Sequence, residues 1–232
     1  DQDLRPLFTR AHASGARVLH MASTLAEAEI TAEAGADAIV AQGTEGGGHV
    51  GLMGTLPLVR IVVRAVAPLP VLVAGGIADG AGLVAALALG AEGVLLGTRF
   101  LATVESPLPE AYKQAIVASD GHDTLVTEIP DVASGQVWPG AYARTYRNQF
   151  VQRWIGRTGD LRAQRRSVAA SLQQARAAGD VDNGALLFGQ DAGLIDAVEP
   201  AGQIVERLVF EAEQILRERM STLLTTTPPA VR

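Results

Sequence analysis

The chain has 232 residues, of which 48% are apolar and 4% aromatic, so its length allows one sizeable domain with an appendage. A formal net charge of −6 excludes a general attraction to nucleic acid or to an anionic membrane, and the dense arginines between residues 144 and 176 are interpreted as solvated helix faces. The absence of cysteine excludes disulfides, thiolate nucleophiles and sulfur-ligated metals and suits a reducing cytoplasm, and no apolar run reaches the about 20 residues that span a bilayer.

Short apolar runs alternate with helical stretches through the first hundred residues. Each run is long enough for a buried strand and too short for a helix, and its continuous apolar character fits a parallel strand that is covered on both faces. Helix caps lie between the runs: Thr24 with Glu27 forms a capping-box pattern that Gly35 closes, and Asp79 and Gly90 frame a later helix. The four predicted strands cover residues 18–22, 38–41, 71–74 and 93–96.

An internal repeat supports this alternation. "AGADAIVAQG" at residues 34–43 and "LGAEGVLLGT" at residues 89–98 both run from a helix end through Gly-Ala-acid to an apolar strand and a glycine. Strands and helices that alternate at this length indicate βαβ units on a parallel sheet with right-handed crossovers.

The pattern changes after Phe100. The stretch from residue 123 to residue 144 is interpreted as loop-rich, and residues 145–178 as polar helix. Residues 200–220 predict an amphipathic helix, and "TTTPPAVR" at the end predicts a frayed tail. The apolar stripe of the amphipathic helix consists of Ile204, Leu208, Phe210, Ala212 and Ile215.

Glycine-bearing turns follow three of the four predicted strands. In parallel α/β architectures ligands collect at the carboxyl ends of the strands, and backbone N–H groups at such turns form phosphate sites. The alternative is that the glycines only turn the chain. The paired turns "AGGI" and "GTRF", about 20 residues apart, favour a phosphate site. The third turn is "AQGTEGGGH", at residues 41–49.

His49 is the histidine embedded in this glycine loop. At the ligand end of the sheet an imidazole can act as a base or, when protonated, hold an anion. Glu45 could pair with His49 or face water. His20, inside a strand, is interpreted as a hydrogen-bonded barrel residue, and His12 and His122 as surface residues.

Two long segments resemble one protein family. "ADAIVAQGTEGGGHVG" and "PVLVAGGIADGAGLVAALALGAEGVLLGTRFLATVES" are similar to the nitronate monooxygenases, formerly called 2-nitropropane dioxygenases, which are FMN-dependent (β/α)8 barrels. The resemblance runs from Val18 to Glu105 and resumes at residues 189–213. It implies that the glycine loop passes beside the isoalloxazine ring, that Gln42 contacts the flavin and that His49 is the catalytic base or anion-holding group. The other implied FMN-binding residues are Gly47, Gly75, Gly76, Leu95, Leu96, Gly97 and Thr98, and no metal is implied.

The resemblance also implies an incomplete barrel. Family members begin with roughly four more strand–helix units, and this chain starts with Asp1 where the fifth strand is expected, so we expect a fragment of a longer product. The implied division is residues 1–103 as the second half of the barrel with the FMN phosphate site, residues 104–199 as a loop-rich and helical lid, and residues 200–232 as a final helix and flexible tail. A half barrel leaves two open sheet edges, which favour self-association.

The implied reaction is the oxidation of an alkyl nitronate with dioxygen to a carbonyl compound and nitrite, by a cytoplasmic enzyme that could be a homo-oligomer. Alternatives that share the flavin site are an FMN-dependent NAD(P)H:quinone reductase and an enoyl-acyl-carrier-protein reductase. The inosine-monophosphate dehydrogenase type of barrel is excluded because it needs a cysteine nucleophile. A non-catalytic flavin-binding remnant is the alternative from a different class.

Overall fold

The structure is a computed structural model that describes residues 3–225. Its strands are β1 (Leu19–Ala22), β2 (Ala38–Gln42), β3 (Gly48–Val50), β4 (Val71–Ala74), β5 (Gly93–Leu95), β6 (Thr124–Thr127) and β7 (Tyr142–Tyr146). Its helices are α1 (Arg5–Ala13), α2 (Leu25–Glu33), α3 (Thr55–Val66), α4 (Gly80–Ala88), α5 (Thr98–Leu101), α6 (Glu110–Val117), α7 (Ile129–Ser134), α8 (Gln149–Trp154), α9 (Thr158–Ala163), α10 (Arg165–Ala178), α11 (Ala201–Gln214) and α12 (Ser221–Thr225). A 3₁₀ helix covers Gln190–Leu194 and a π-helix covers Ile215–Met220.

A four-stranded parallel sheet forms the first half of the chain. Its strand order is β1-β2-β4-β5, and Ile39 lies opposite His20 on β1 and Val71 on β4. The first four residues of β2 are buried, and Ile39 packs into the same core as Leu58 and Val62 of α3. The four predicted strands are confirmed within one residue at each end, and the architecture is that of half a (β/α)8 barrel.

The predicted helix caps are confirmed. The Thr24 hydroxyl accepts a hydrogen bond from Glu27 N at 3.2 Å, and the Glu27 carboxylate accepts one from Thr24 N at 3.1 Å. Asp79 caps α4 by accepting a bond from Gly82 N at 2.8 Å. Gly35 and Gly90 end the two helices with φ angles of +91° and +92°, which favour glycine.

An antiparallel sheet of three strands lies beyond the parallel sheet. Its order is β3-β7-β6, and β7 pairs Arg144 with Gly48 of the glycine loop. The predicted loop from residue 123 to residue 144 is therefore wrong, because it contains β6, α7 and the start of β7. The polar helix predicted for residues 145–178 is confirmed in part: β7 ends there, and the helices α8, α9 and α10 follow. Arg144 and Thr145 are buried polar residues, so β7 lacks the apolar pattern that would have indicated a strand.

Helix α11 packs on α4 through the predicted apolar stripe, with one exception. Ile204, Leu208 and Ala212 are buried, but Phe210 is 63% exposed because it lies two residues, about 200° of helix rotation, from Leu208. Within the described residues no helix is long and apolar enough to cross a membrane. Apart from Thr225, the predicted tail lies outside the described residues.

Candidate functional site

A cavity of about 310 Å³ lies where β2, β4 and β5 end and the glycine turns begin. Ligand pockets in parallel α/β folds occupy this position and begin at about this size. The structure brings six of the predicted cofactor-binding residues together in its lining: Gln42, Gly47, Gly75, Leu95, Gly97 and Thr98. The other cavity-lining groups include Met21 of β1 and Phe188 of the segment before the 3₁₀ helix.

Close backbone packing requires two of these glycines. A Cβ at Gly47 would stand 2.6 Å from Gly189 N, and a Cβ at Gly75 would stand 2.9 Å from Gly46 N, in a residue with φ +96°. By contrast, a Cβ at Gly97 would meet nothing within 4 Å. Packing within the described residues therefore does not explain Gly97, and its backbone is open to a ligand in the cavity.

Gly76 and Leu96 do not line this cavity. Gly76 has φ +76°, and a Cβ there would face the Glu45 side chain at 3.3 Å, while Leu96 packs against the core of the parallel sheet. Their predicted roles in binding the cofactor stay predictions.

Glu45 caps a helix and, among the described residues, does not pair with His49. Its carboxylate accepts hydrogen bonds from Thr55 N at 2.9 Å and from Thr55 Oγ1 at 2.8 Å, at the first residue of α3. The Thr55 hydroxyl also lies 3.1 Å from the carbonyl oxygen of Gly75. Glu45 thereby ties the glycine loop to α3 and to the turn after β4.

His49 lies on β3, next to the cavity-lining Gly48, and its own side chain does not line the cavity. Its Nε2 is 2.8 Å from Asp131 Oδ1 on α7, and its ring stacks on Trp138 with centroids 4.0 Å apart. Both polar side chains are mostly covered, with 22% of His49 and 11% of Asp131 exposed. The other histidines agree with the sequence interpretation: His20 bonds Thr31 within the fold, and His122 is exposed.

Arg144 is a site residue that sequence reasoning missed. Its Nε donates to Thr44 O at 2.9 Å and its Nη1 donates to Thr124 Oγ1 at 2.9 Å, so it supports the glycine loop from β7. Burial lowers the pKa of Arg144, and the nearby charge of Glu45 opposes this shift. The interpretation of this arginine as part of a solvated helix face is wrong, since it is buried in a strand.

Asp191 is a second missed residue, although it stands in the "GQDAGLI" segment of the family resemblance. It is 5% exposed and lines the cavity beside Thr98, whose hydroxyl accepts a hydrogen bond from Gly189 N at 2.9 Å. Burial raises the pKa of Asp191 to about 6, and a hydrogen bond with Thr98 opposes the shift. The carboxyl is therefore neutral in mildly acidic solution and a poor fit to a neighbouring anion above that range.

A larger cavity of about 800 Å³ lies between α4 and α11. Four carboxylates and two arginines line it, and the glycine turns are not part of it. This lining has two more acidic than basic side chains, whereas Asp191 is the one charged residue among the described residues that line the smaller cavity. The smaller cavity also has the glycine turns, so it is the better candidate for an anionic cofactor. The charged residues that line the larger cavity are Asp79, Arg99, Asp196, Glu199, Arg207 and Glu211.

Solved structures of similar shape are barrel proteins of related sequence. FabK from Thermotoga maritima superposes with a TM-score of 0.83 at 35% sequence identity, covering 96% of this chain and 69% of that one. Nitroalkane oxidase from Streptomyces ansochromogenes superposes with a TM-score of 0.78 at 32% identity, covering 95% of this chain and 63% of that one.

Sequence comparison gives the same grouping. A probable nitronate monooxygenase from Staphylococcus aureus is 33% identical over 224 residues, which cover 91% of this chain and 60% of the relative. The chain thus spans about 60% of the length of the curated relatives it matches. The model of the nitronate monooxygenase family matches residues 2–211, and since this match covers nearly all of the parallel sheet, the antiparallel sheet and α11, the chain belongs to the nitronate monooxygenase family.

Proposed function

We propose that this chain supplies the cofactor pocket and the proton-handling residue of an FMN-dependent enzyme that oxidises alkyl nitronates. The observation that carries the proposal is the cavity that joins the glycine loop to the turns after β4 and β5, with His49 on the adjoining strand. Family membership and the likeness to a nitroalkane oxidase support the same reaction.

The cavity residues other than Asp191, whose carboxyl disfavours a neighbouring anion once it ionises, suit an FMN phosphate and ring. The open backbone at Gly97, the Thr98 hydroxyl and the turn at Gly75 would hold the phosphate. Gln42 and the backbone of Gly47 would contact the isoalloxazine ring, because this stretch carries little side chain that could obstruct a flat group. When bound, FMN supplies the two-electron redox chemistry that the protein's own side chains lack.

His49 would either attract the anionic substrate or take a proton from the neutral one, depending on its own protonation state. A protonated imidazole attracts the nitronate anion, and a neutral imidazole can take the proton from the carbon of a nitroalkane. Arg144 does not compete for the anion, since its guanidinium is buried beneath the loop and bonded to Thr44 and Thr124. The remaining work of the site is to hold the substrate and the cofactor face to face.

A single rapid-kinetic experiment tests this function. The test uses a complete barrel, in which this chain is joined to the amino-terminal half found in the family; the barrel is loaded with FMN and mixed anaerobically with propyl-2-nitronate. We expect rapid bleaching of the flavin in the parent and about 10²-fold slower bleaching in His49→Ala, with the flavin still bound, which is the usual scale for loss of an acid–base group. His122→Ala is the matched control because that side chain is 93% exposed. Equal rates in the parent and in His49→Ala would overturn the role of His49.

A second candidate is an FMN-dependent enoyl-acyl-carrier-protein reductase, and the likeness to FabK supports it. The same FMN-loaded barrel distinguishes the two functions by which compound bleaches its flavin. Bleaching by NADH or NADPH, with no response to the nitronate, would favour the reductase and contradict nitronate oxidation.

A further inference from the structure

The His49 imidazole is fixed from two directions by residues of one later segment. Asp131 of α7 meets its Nε2 at 2.8 Å, and Trp138 lies over its ring with an interplanar angle of 19°. The segment that carries Trp138 runs between Gly135 and Gly140, whose φ angles are +76° and +77°. The hydrogen bond holds the edge of the imidazole and the stacked indole holds its face, so the ring is positioned before any ligand binds.

The pairing determines which nitrogen carries the proton in neutral His49. An ionised carboxylate only accepts hydrogen bonds, so Nε2 must be the donor to Asp131 Oδ1. Neutral His49 is then the Nε2–H tautomer, and its lone pair lies on Nδ1. Among residues 3–225, Nδ1 of His49 has no hydrogen-bond partner, so it is the nitrogen that is free for a substrate.

The contact between Asp131 and His49 is not explained by a role of Asp131 within its own helix. An acidic residue in the first turn of α7 would favour the helix dipole from any rotamer that faces solvent. Its side chain is instead mostly covered and reaches a residue 82 positions earlier in the chain. Glu128, the residue before α7, is also acidic, and it pairs with Arg162 of α9 at 3.4 Å.

We propose that Asp131 is a positioning residue: its carboxylate holds His49 as the Nε2–H tautomer and presents Nδ1 to the substrate. The second part rests on the proposed function of His49, and the first part does not. A similar division of labour occurs in serine proteases, where exchanging the triad aspartate for asparagine keeps the geometry and leaves the histidine in the wrong tautomer.

The test combines a spectroscopic and a kinetic measurement. The chain is labelled with ¹⁵N-histidine, and long-range ¹H–¹⁵N spectra at pH 8 report the tautomer of each of its four histidines. His49→Gln assigns the His49 signals. We expect the Nε2–H pattern in the parent and in the Glu128→Gln control, and a mixture of both tautomers in Asp131→Asn. In the complete barrel with FMN and propyl-2-nitronate, we expect Asp131→Asn to lower the limiting rate of bleaching about 10²-fold while the flavin remains bound.

The outcomes separate this inference from the proposed function. An Nδ1–H pattern in the parent overturns the inference even if Asp131→Asn fails to fold, because that tautomer cannot donate to Asp131. An unchanged tautomer ratio in a folded Asp131→Asn also overturns it. If the parent shows the Nε2–H pattern and Asp131→Asn loses it, but the nitronate bleaches no flavin, then the positioning role stands and the proposed function falls.

Discussion

At the scale of a single residue, folding buries the carboxyl of Asp191 away from the water that would solvate its charge. It is nearly inaccessible to water, and no cationic side chain contributes to its pKa among the described residues, so its burial is compensated only by hydrogen bonds. A carboxylate in such a place disfavours the folded state once it ionises. The same residue lines the cavity proposed for a phosphate, where a second negative charge would add to that cost.

Asp191→Asn is therefore expected to change how stability depends on pH. Burial raises the pKa of Asp191 to about 6 in the folded chain. Between about pH 4 and pH 6 the Asp191 carboxyl binds more protons in the folded state than in the unfolded state, so this group by itself lowers the stability as the pH rises, by up to about 3 kcal/mol. From pH 4.5 to pH 7.5, denaturant unfolding should show a change in the free energy of unfolding that is about 2 kcal/mol less favourable in the parent than in Asp191→Asn.

The exposed Asp196 provides the matched control for that experiment. The free energy of unfolding of Asp196→Asn should change between the two pH values by the same amount as that of the parent. An Asp191→Asn variant whose stability changes with pH by the same amount as that of the parent would contradict the cost assigned to the buried Asp191 carboxylate.

At the scale of elements, the glycine loop depends on one helix for its shape. Glu45 accepts two hydrogen bonds from Thr55 at the start of α3, whose own N-cap residue, Gly54, has no side chain to offer. The loop is thus both a cap for α3 and a wall of the cavity. A change at Glu45 should therefore alter both the shape of the glycine loop at the site and the stability of α3.

Glu45→Ala is expected to lower the free energy of unfolding by about 1–3 kcal/mol, because it leaves Thr55 N and the first turn of α3 without their acceptor. Guanidinium chloride unfolding measures the shift in midpoint. Glu29→Ala, at an exposed position on α2, should leave the midpoint within about 0.5 kcal/mol of the parent. Equal midpoints for Glu45→Ala and the parent would show that water replaces the cap.

The sequence predicted the elements whose signals are local. Thr24, Glu27 and Asp79 act within three residues of their partners, and each strand of the parallel sheet is a continuous apolar run. The antiparallel sheet has no such signal, since Arg144 and its neighbour are polar and buried through bonds to distant residues. The contact between His49 and Asp131 spans 82 positions, so only the folded chain reveals it.

At the scale of the whole molecule, the parallel sheet ends in edge strands on both sides. In the part of the chain that the structure describes, β1 and β5 each pair with one neighbour only. Leu19 is 55% exposed on β1 and Leu95 is 37% exposed on β5. Apolar edge strands with unpaired backbone groups are templates for pairing with another chain.

We therefore expect the isolated 232-residue chain to self-associate, to be marginally stable and to bind FMN weakly. Analytical ultracentrifugation across a concentration series should show species larger than the monomer. Leu19→Lys, which places a charge on the exposed edge of β1, should reduce this association, whereas Leu223→Lys, at an exposed position on α12, should not. A monomer that unfolds cooperatively and carries stoichiometric FMN would contradict the prediction.

The pairing of β3 with β7 also affects the order in which parts of the structure form during synthesis on the ribosome. Every strand of the parallel sheet is made by residue 95, but the glycine loop obtains its partner strand only at residues 142–146 and its contact with Gln190 later still. Contacts between such distant residues form slowly, because long loops must close first. The parallel sheet is therefore synthesised well before the residues that complete the pocket, and we expect premature termination between residues 95 and 190 to yield a chain with the strands of the sheet and no complete site.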